Sequence, residues 1–414
     1  MRFYSAGRRF FENDPMKKFA FTLLLTIALT VAEAVSPSLI AYGHTGERFP
    51  MAAPSMIAPT IAKEDMLESG DRIPDYLRVM GSVSPTAAPM LAKLVRTMIF
   101  GGTISPQTKL AMGIAVADAL KTPYAAAHFR RLARTLPTNP EDAGREKLAI
   151  AYARDLTGDI HGVSDAEFAT TKARFNDAQM VELTMVTCFF NYFTRLTAGF
   201  GLTPESWLES ATPQLPAQKA NPYAPARVTL LTDEEAAATV ELVNAKPTNN
   251  WNIGIANSQR AMNRVPDLRQ AWFGMMMGMR EGAVVPRTTQ LQVSLAVSTL
   301  NGCRYCTLHQ VLGLRKQNVD VAKLVAMKKD DSALTAEEKA AVDFARKLTR
   351  EPSRVSDADF AALQAKFPGR GAAEVMMQTC NFAFMNRFTD GLRLPSEDEA
   401  VKIYKETYGH AYEK

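Results

Sequence analysis

Apolar residues return at helical spacing through both halves of the chain, set among Ala, Leu, Met, Glu and Lys, and no stretch alternates as a half-buried strand does. The pattern predicts an all-α protein made of helical bundles. Punctuation fixes several helix ends. Pro286 opens a segment that Asn301-Gly302 closes, and "SDAE" at 164–167 and "SDAD" at 356–359 read as capping boxes. One apolar run differs from the rest: "FAFTLLLTIALTV" follows Met16-Lys17-Lys18 and leads into Ala32-Glu33-Ala34. A charged start, an apolar middle and small residues at the end predict a signal peptide over residues 1–34, with 1–15 as an upstream extension and cleavage near Ala34. The run of 13 residues falls short of the roughly 20 that span a bilayer, which favours cleavage over an uncleaved anchor helix, so no membrane association is expected after cleavage.

The same helical pattern occurs twice. Residues 146–202, beginning "EKLAIAYARDLTGDIHGVSDAEFATTKARF", align with residues 338–394, beginning "EKAAVDFARKLTREPSRVSDADFAALQAKF", at an offset of 192. Glu182 then falls on Glu374, Cys188 on Cys380 and Arg195 on Arg387. Upstream the offset is 181, so that Tyr124 and His128 fall on Tyr305 and His309, and the second copy carries about eleven extra residues near "VDVAKLVAMKKDDSA". The Pro-rich stretch "TPQLPAQKANPYAPARVT" suits an extended connection. This divides the chain into a leader (1–34), a linker (35–70), a first copy (71–225) and a second copy (226–414).

Composition narrows the classes. A chain of 414 residues that is 47% hydrophobic can bury two cores without disulfide staples. Its formal charge of +5 comes from 48 basic and 43 acidic residues with no basic patch interleaved with aromatics, which argues against a nucleic-acid partner.

Candidate chemistry concentrates in "NGCRYCTLHQ" at 301–310, which holds two of the chain's four cysteines and one of its five histidines. With Asn301-Gly302 as a helix stop, a new helix should start at about Cys303. There, unpaired backbone N–H groups and the helix dipole favour a thiolate, and a Cys-x-x-Cys pair can bring one thiol from about 8.5 down to as little as about 3.5. Residues three apart share a helix face, so Cys303 and Cys306 can join as a disulfide. His309, one turn on, is placed to exchange protons with Cys306, and Arg304 adds positive charge. A c-type haem would require histidine where Thr307 stands, and zinc would require a fourth ligand, so neither cofactor nor metal is expected. A thioredoxin-type site would need a β-α-β setting. Burial of both cysteines as small apolar residues remains a further reading. Cys188 and Cys380, inside apolar helical runs, are expected to be core, as are the methionines at 275–277, 279, 376 and 377; His128, without cysteine neighbours, is expected to be structural.

The second copy, through "VVPRTTQLQVSLAVSTLNGCRYCTLH", "LTAEEKAAVDFARKLT", "SRVSDADFAALQAKF" and "FAFMNRFTDGLRLP", resembles the alkylhydroperoxidase D-like and carboxymuconolactone decarboxylase superfamily over about 150 residues. The first copy resembles the same domain with its motif erased, Thr122 standing for Cys303 and Ala125 for Cys306. The resemblance implies two tandem AhpD-like helical domains that oligomerise. It also implies a redox-active cysteine pair whose dithiol form reduces hydroperoxides or disulfide substrates and closes to a disulfide, an antioxidant oxidoreductase activity with electrons supplied by an unidentified thiol reductant. Carried over, Cys306 is the attacking and Cys303 the resolving cysteine, with a glutamate and histidine relay. The family's histidine position is Gln310 here, one residue beyond His309, and its glutamate position is Leu291, flanked by Gln290 and Gln292; Glu338 and Glu374 are candidate replacements. A lactone decarboxylase and a non-catalytic oligomeric binding module are the alternatives. With the leader, the protein is expected to be secreted or periplasmic and homo-oligomeric.

Overall fold

The structure is a computed structural model describing residues 48–67, 72–136, 143–208, 227–242 and 255–412. The expected leader and the junction near residue 225 lie outside the described residues. The chain is all-α, and no strand occurs among the described residues. After a one-turn helix α1 (Pro54–Ile57), the first copy runs α2 (Asp75–Val83), α3 (Ala87–Phe100), α4 (Pro106–Ala119), α5 (Pro123–Thr135), α6 (Ala143–Gly158), α7 (Asp165–Lys172) and α8 (Asp177–Phe200). Helix α9 (Asp233–Leu242) precedes the second copy. That copy runs α10 (Asn257–Met262), α11 (Pro266–Arg280), α12 (Arg287–Asn301), α13 (Arg304–Lys316), α14 (Val321–Lys329), α15 (Ala336–Arg350), α16 (Asp357–Gln364), α17 (Arg370–Gly391) and α18 (Asp398–Tyr408).

Local chemistry sets these ends. Ser164 with Glu167, and Ser356 with Asp359, form reciprocal capping boxes at α7 and α16, as their sequences predict. The extra residues of the second copy fold as α14, a helix with no counterpart among the described residues of the first, which packs against α18.

Equivalent helices of the two copies pack on each other: α8 lies along α17, and α3 along α11. Such self-complementary pairing is what a two-fold dimer requires, here within one chain. One continuous core therefore includes residues of both copies, with Tyr192 of α8 edge-on to Trp272 of α11 and Trp272 stacked on Phe384 of α17 at 3.8 Å. The described part of the expected linker joins this packing: Arg48 donates to the Gly199 carbonyl at 3.1 Å and pairs with Asp357 at 3.3 Å, and Phe49 and Ile57 are buried. A smaller core of Leu291, Leu308, Val311, Leu324 and Tyr404 joins α12, α13, α14 and α18. Helix α13 lies between the two cores. Its first turn, with Cys303, faces the large one.

Methionines 275, 279, 376 and 377 are buried as expected, but Met277 is 47% exposed. It sits two residues from Met275 on α11, and two steps of about 100° turn it to the opposite side of the helix.

Candidate functional site

The turn between α12 and α13 places the cysteines. Gly302 takes φ +72° at the end of α12, and the N–H of Cys303 reaches back to the Ser298 carbonyl at 2.9 Å. The first copy makes the same turn with a residue that adopts it less readily: Lys121 has φ +56°, and Thr122 N–H donates to the Ala117 carbonyl at 3.0 Å. Cys303 thereby becomes the N-cap of α13, its Sγ accepting the N–H of Cys306 at 3.2 Å.

Cys303 and Cys306 are both buried, at 0% and 3% exposure. They converge on one atom, Oγ1 of Thr389 in α17, which lies 3.4 Å from each sulfur. The Thr389 hydroxyl donates its own proton to the Met385 carbonyl at 2.9 Å, so towards the sulfurs its oxygen acts as acceptor. Burial, the hydrogen bond with Cys306 and the charge of Asp390 push the Cys303 thiol up. The expected thiolate at this helix start is thus not the resting form of Cys303, because desolvation outweighs the backbone N–H and the dipole. Arg304, expected to favour a thiolate, points its guanidinium at Ser396 Oγ, 3.4 Å away.

Around the sulfurs stand groups from three parts of the chain. Asp390 follows Thr389 and is buried beside Cys303. His161, from the turn after α6 of the first copy, puts Nε2 at 3.4 Å from Asp390 Oδ1 and Nδ1 at 3.6 Å from Asp159. Tyr412 lies beyond α18, its phenol pushed up by burial and by the charges of Cys303 and Asp390. A cleft of about 380 Å³ runs up to this turn, lined by Gly302, Thr307, Lys328, Tyr404, Tyr408 and Tyr412.

His309 is stacked on Tyr305, with Nδ1 at 2.6 Å from the Tyr305 carbonyl and Nε2 at 2.6 Å from Glu397 Oε2. Both neighbours are oxygens, so the ring is held in place from both of its nitrogens. Glu397 also accepts from Tyr305 Oη at 3.0 Å and from the N–H of Asn257 at 2.6 Å. Burial opposes ionisation of Glu397, but the His309 hydrogen bond and charge and the Asn257 N–H hold its carboxyl below the usual range.

Glu397 was missing from the sequence-level site, although the signal was present. At the offset of 192, Glu205 falls on Glu397, three residues beyond the end of the aligned segments. In the first copy Glu205 holds His128 at 2.9 Å, Tyr124 Oη at 2.9 Å and the N–H of Asp75 at 2.9 Å.

The other candidate glutamates serve elsewhere. Glu374 accepts from the N–H groups of Val284 and Val285 and from Arg370, anchoring the loop before α12, as Glu182 anchors Thr103 and Ile104. Glu338 caps α15 with Thr335 and binds Lys323 and Gln292. Leu291 lies in the smaller core, and Gln290 donates to the Val285 carbonyl. Cys188 and Cys380 are fully buried in α8 and α17, their thiols pushed up by desolvation, each opposed by a buried arginine, Arg387 and Arg195 respectively. No group of three or more His, Cys, Asp or Glu side chains is placed to hold a metal among the described residues.

An all-helical fold with two thiols meeting at a helix start is thereby defined, and residues 266–347, which include both cysteines, match the family model described as "Carboxymuconolactone decarboxylase family". The similarity to this family is thus confined to that segment of the second copy. Among solved structures, the chain is similar to the debrominase Bmp8, crystallised as a cysteine-to-alanine variant in complex with 2,3,4-tribromopyrrole. The two are 20% identical with a TM-score of 0.39, over 43% of this chain and 96% of that chain. No curated protein sequence matches the chain.

Proposed function

We propose that the second copy is a thiol-dependent peroxidase or disulfide oxidoreductase working through Cys303 and Cys306. The observation that carries the reading is the convergence of both sulfurs on Thr389 Oγ1, in the copy that has both cysteines. In the proposed cycle the Cys306 thiolate attacks a peroxide oxygen, the O–O bond breaks, an alcohol leaves and Cys306 becomes a sulfenic acid. Cys303 then forms the S–S bond and water leaves. A thiol reductant donates two electrons to reopen the disulfide.

The depth of the pair favours a small oxidant. A protein disulfide must bring its own sulfur in line with the buried Cys306, whereas a hydroperoxide is small enough for the 380 Å³ cleft. The wall of that cleft includes Gly302 and Thr307, the chain neighbours of Cys303 and Cys306. His309 and Glu397 belong to this reading as the pair that fixes the first turns of α13. The leader sequence supports a secreted or periplasmic protein, where the pair rests as a disulfide unless electrons are supplied. Assembly into a homo-oligomer is part of the same proposal, and a strictly monomeric mass in light scattering would sink it.

The test is to reduce the protein, add one equivalent of cumene hydroperoxide and follow the Cys303–Cys306 disulfide by quenched-flow mass spectrometry. Rapid closure that is lost in Cys306→Ser, with sulfenic acid persisting in Cys303→Ser, is the expected outcome. Closure no faster than in buffer removes the peroxidase. A lactone decarboxylase would not need both sulfurs, and a binding module would show no chemistry to lose.

A further inference from the structure

The two copies share most of the framework around the sulfurs. Thr389 answers to Thr197, Arg387 to Arg195, Tyr305 to Tyr124, His309 to His128 and Glu397 to Glu205. Four positions break the correspondence: Cys303 stands for Thr122, Cys306 for Ala125, Asp390 for Ala198, and the partner position of His161 in the second copy is Ser353. Three of these departures lie in the second copy and one in the first, yet all four side chains meet at one place.

The fold does not demand Asp390. At the matching end of α8, Ala198 makes the same backbone turn, its carbonyl accepting from Gly201 at 3.0 Å as the Asp390 carbonyl accepts from Arg393 at 3.0 Å. The carboxylate is therefore an addition to a turn that forms without it. It is 7% exposed, and burying a charge is unfavourable without compensation. Its facing groups are His161 from the first copy, Cys303 at the start of α13 and Tyr412 from the C-terminal segment. Asp159 adds a second carboxylate on the far nitrogen of His161, while Arg393, next to this helix end, pairs with Asp165.

We infer that the first copy, which lacks the Cys-x-x-Cys pair, completes the site of the second: His161 orients Asp390, and Asp390 takes the proton of Cys303 as Cys303 closes the disulfide onto Cys306. The inference rests on Cys303 being the resolving thiol. In this step the Cys303–Cys306 S–S bond forms and the S–O bond of the Cys306 sulfenic acid breaks. The Cys303 proton passes to Asp390, and the departing hydroxide takes up a proton to leave as water. Overall, a thiol and a sulfenic acid give a disulfide and water, with the hydroperoxide already reduced to an alcohol. A buried thiol held in its protonated form needs such a base, because few thiolates are present to attack. Asp390 is then a catalytic residue, and His161 a positioning residue contributed by the other copy.

The experiment uses the full chain, reduced, with two oxidants. With 4,4′-dithiodipyridine, attack by Cys306 releases one thiopyridone, and closure by Cys303 releases the second. Mass spectrometry assigns the closed pair, and the two releases are timed separately across pH. Asp390→Asn is expected to slow the second release by ~10²-fold, the lower end of what general bases contribute, to leave the first unchanged and to flatten the pH dependence of closure. His161→Gln should slow the same step by a smaller factor, and Asp390→Glu should restore part of the rate. Asp165→Asn, which removes a cross-copy ion pair away from the sulfurs, should leave both releases unchanged.

Unchanged closure in Asp390→Asn, or equal slowing in Asp165→Asn, overturns the inference. If Asp390→Asn fails to fold, the His161→Gln and Asp390→Glu profiles decide it. Cumene hydroperoxide forms the second arm. If it closes no disulfide while the dithiodipyridine arm still shows the split, the peroxidase reading falls and the cross-copy base stands.

Discussion

Glu397 Oε2 lies 2.6 Å from His309 Nε2, and the copy without the Cys-x-x-Cys pair repeats this contact between Glu205 and His128 at 2.9 Å. A device kept where the sulfurs are absent serves the architecture first. Each glutamate ties the N-terminal end of a short helix, α2 or α10, to the helix that carries the histidine, α5 or α13.

Glu205→Gln and Glu397→Gln should therefore each destabilise the protein by ~1–3 kcal/mol, whether or not the copy has the Cys-x-x-Cys pair. Denaturant unfolding measures this. The pH dependence has a definite sign. Burial opposes ionisation, yet hydrogen bonding and charge from the histidines leave both carboxyls below the ordinary 4.5. The stabilisation is thus present above 4.5 and lost as pH falls through the lower folded value. The double Gln variant should lose less stability than the parent over that acid range.

The neighbouring glutamate pair tests charge compensation. Lys109 Nζ lies 2.6 Å from Glu182 Oε1 with both side chains essentially inaccessible, at 0% and 1%. In the second copy Gln290 takes the lysine's place, and the charge facing Glu374 comes from Arg370 at 2.8 Å. Lys109→Met leaves Glu182 buried and uncompensated, which should remove about 3–5 kcal/mol. Lys109→Gln with Ala178→Arg transplants the second copy's arrangement and should recover part of that loss in thermal unfolding.

The helices and the cysteine turn were legible because their signals are local: a glycine stop, capping boxes and apolar spacing. The duplication was legible because it repeats in register. Glu397 is less legible, because it lies three residues beyond the stretch over which the two copies match in register. The meeting of Asp390 with His161 was not legible, since it crosses the copies and no spacing along one helix encodes it. The protonated state of Cys303 escaped for a related reason. A helix start favours a thiolate, but the desolvation that reverses the preference comes from α17 and the C-terminal segment packing over it.

The shared turn before the second helix of each hairpin makes a paired prediction. Lys121 and Gly302 occupy equivalent positions at φ +56° and +72°. A side chain at this conformation costs about 1 kcal/mol relative to glycine. Lys121→Gly should stabilise the protein by roughly that amount, and Gly302→Ala should destabilise it similarly, with disulfide closure slowed because Cys303 begins at this turn.

The hydroxyl between the sulfurs sets the last prediction. Thr389 spends its proton on the Met385 carbonyl, so it acts as acceptor for the thiols and stabilises the dithiol state over the disulfide. Thr389→Val removes that acceptor and keeps the side chain's shape. The disulfide then becomes relatively more stable, and the midpoint potential of the pair should fall by ~10–30 mV, the equivalent of one neutral hydrogen bond. Equilibration in glutathione buffers, read by thiol alkylation and mass spectrometry, measures it. Thr197→Val, at the matching place in the first copy, should leave the potential unchanged. A rise in Thr389→Val would mean that the hydroxyl favours the disulfide over the dithiol, and its role as acceptor for the two thiols would fall.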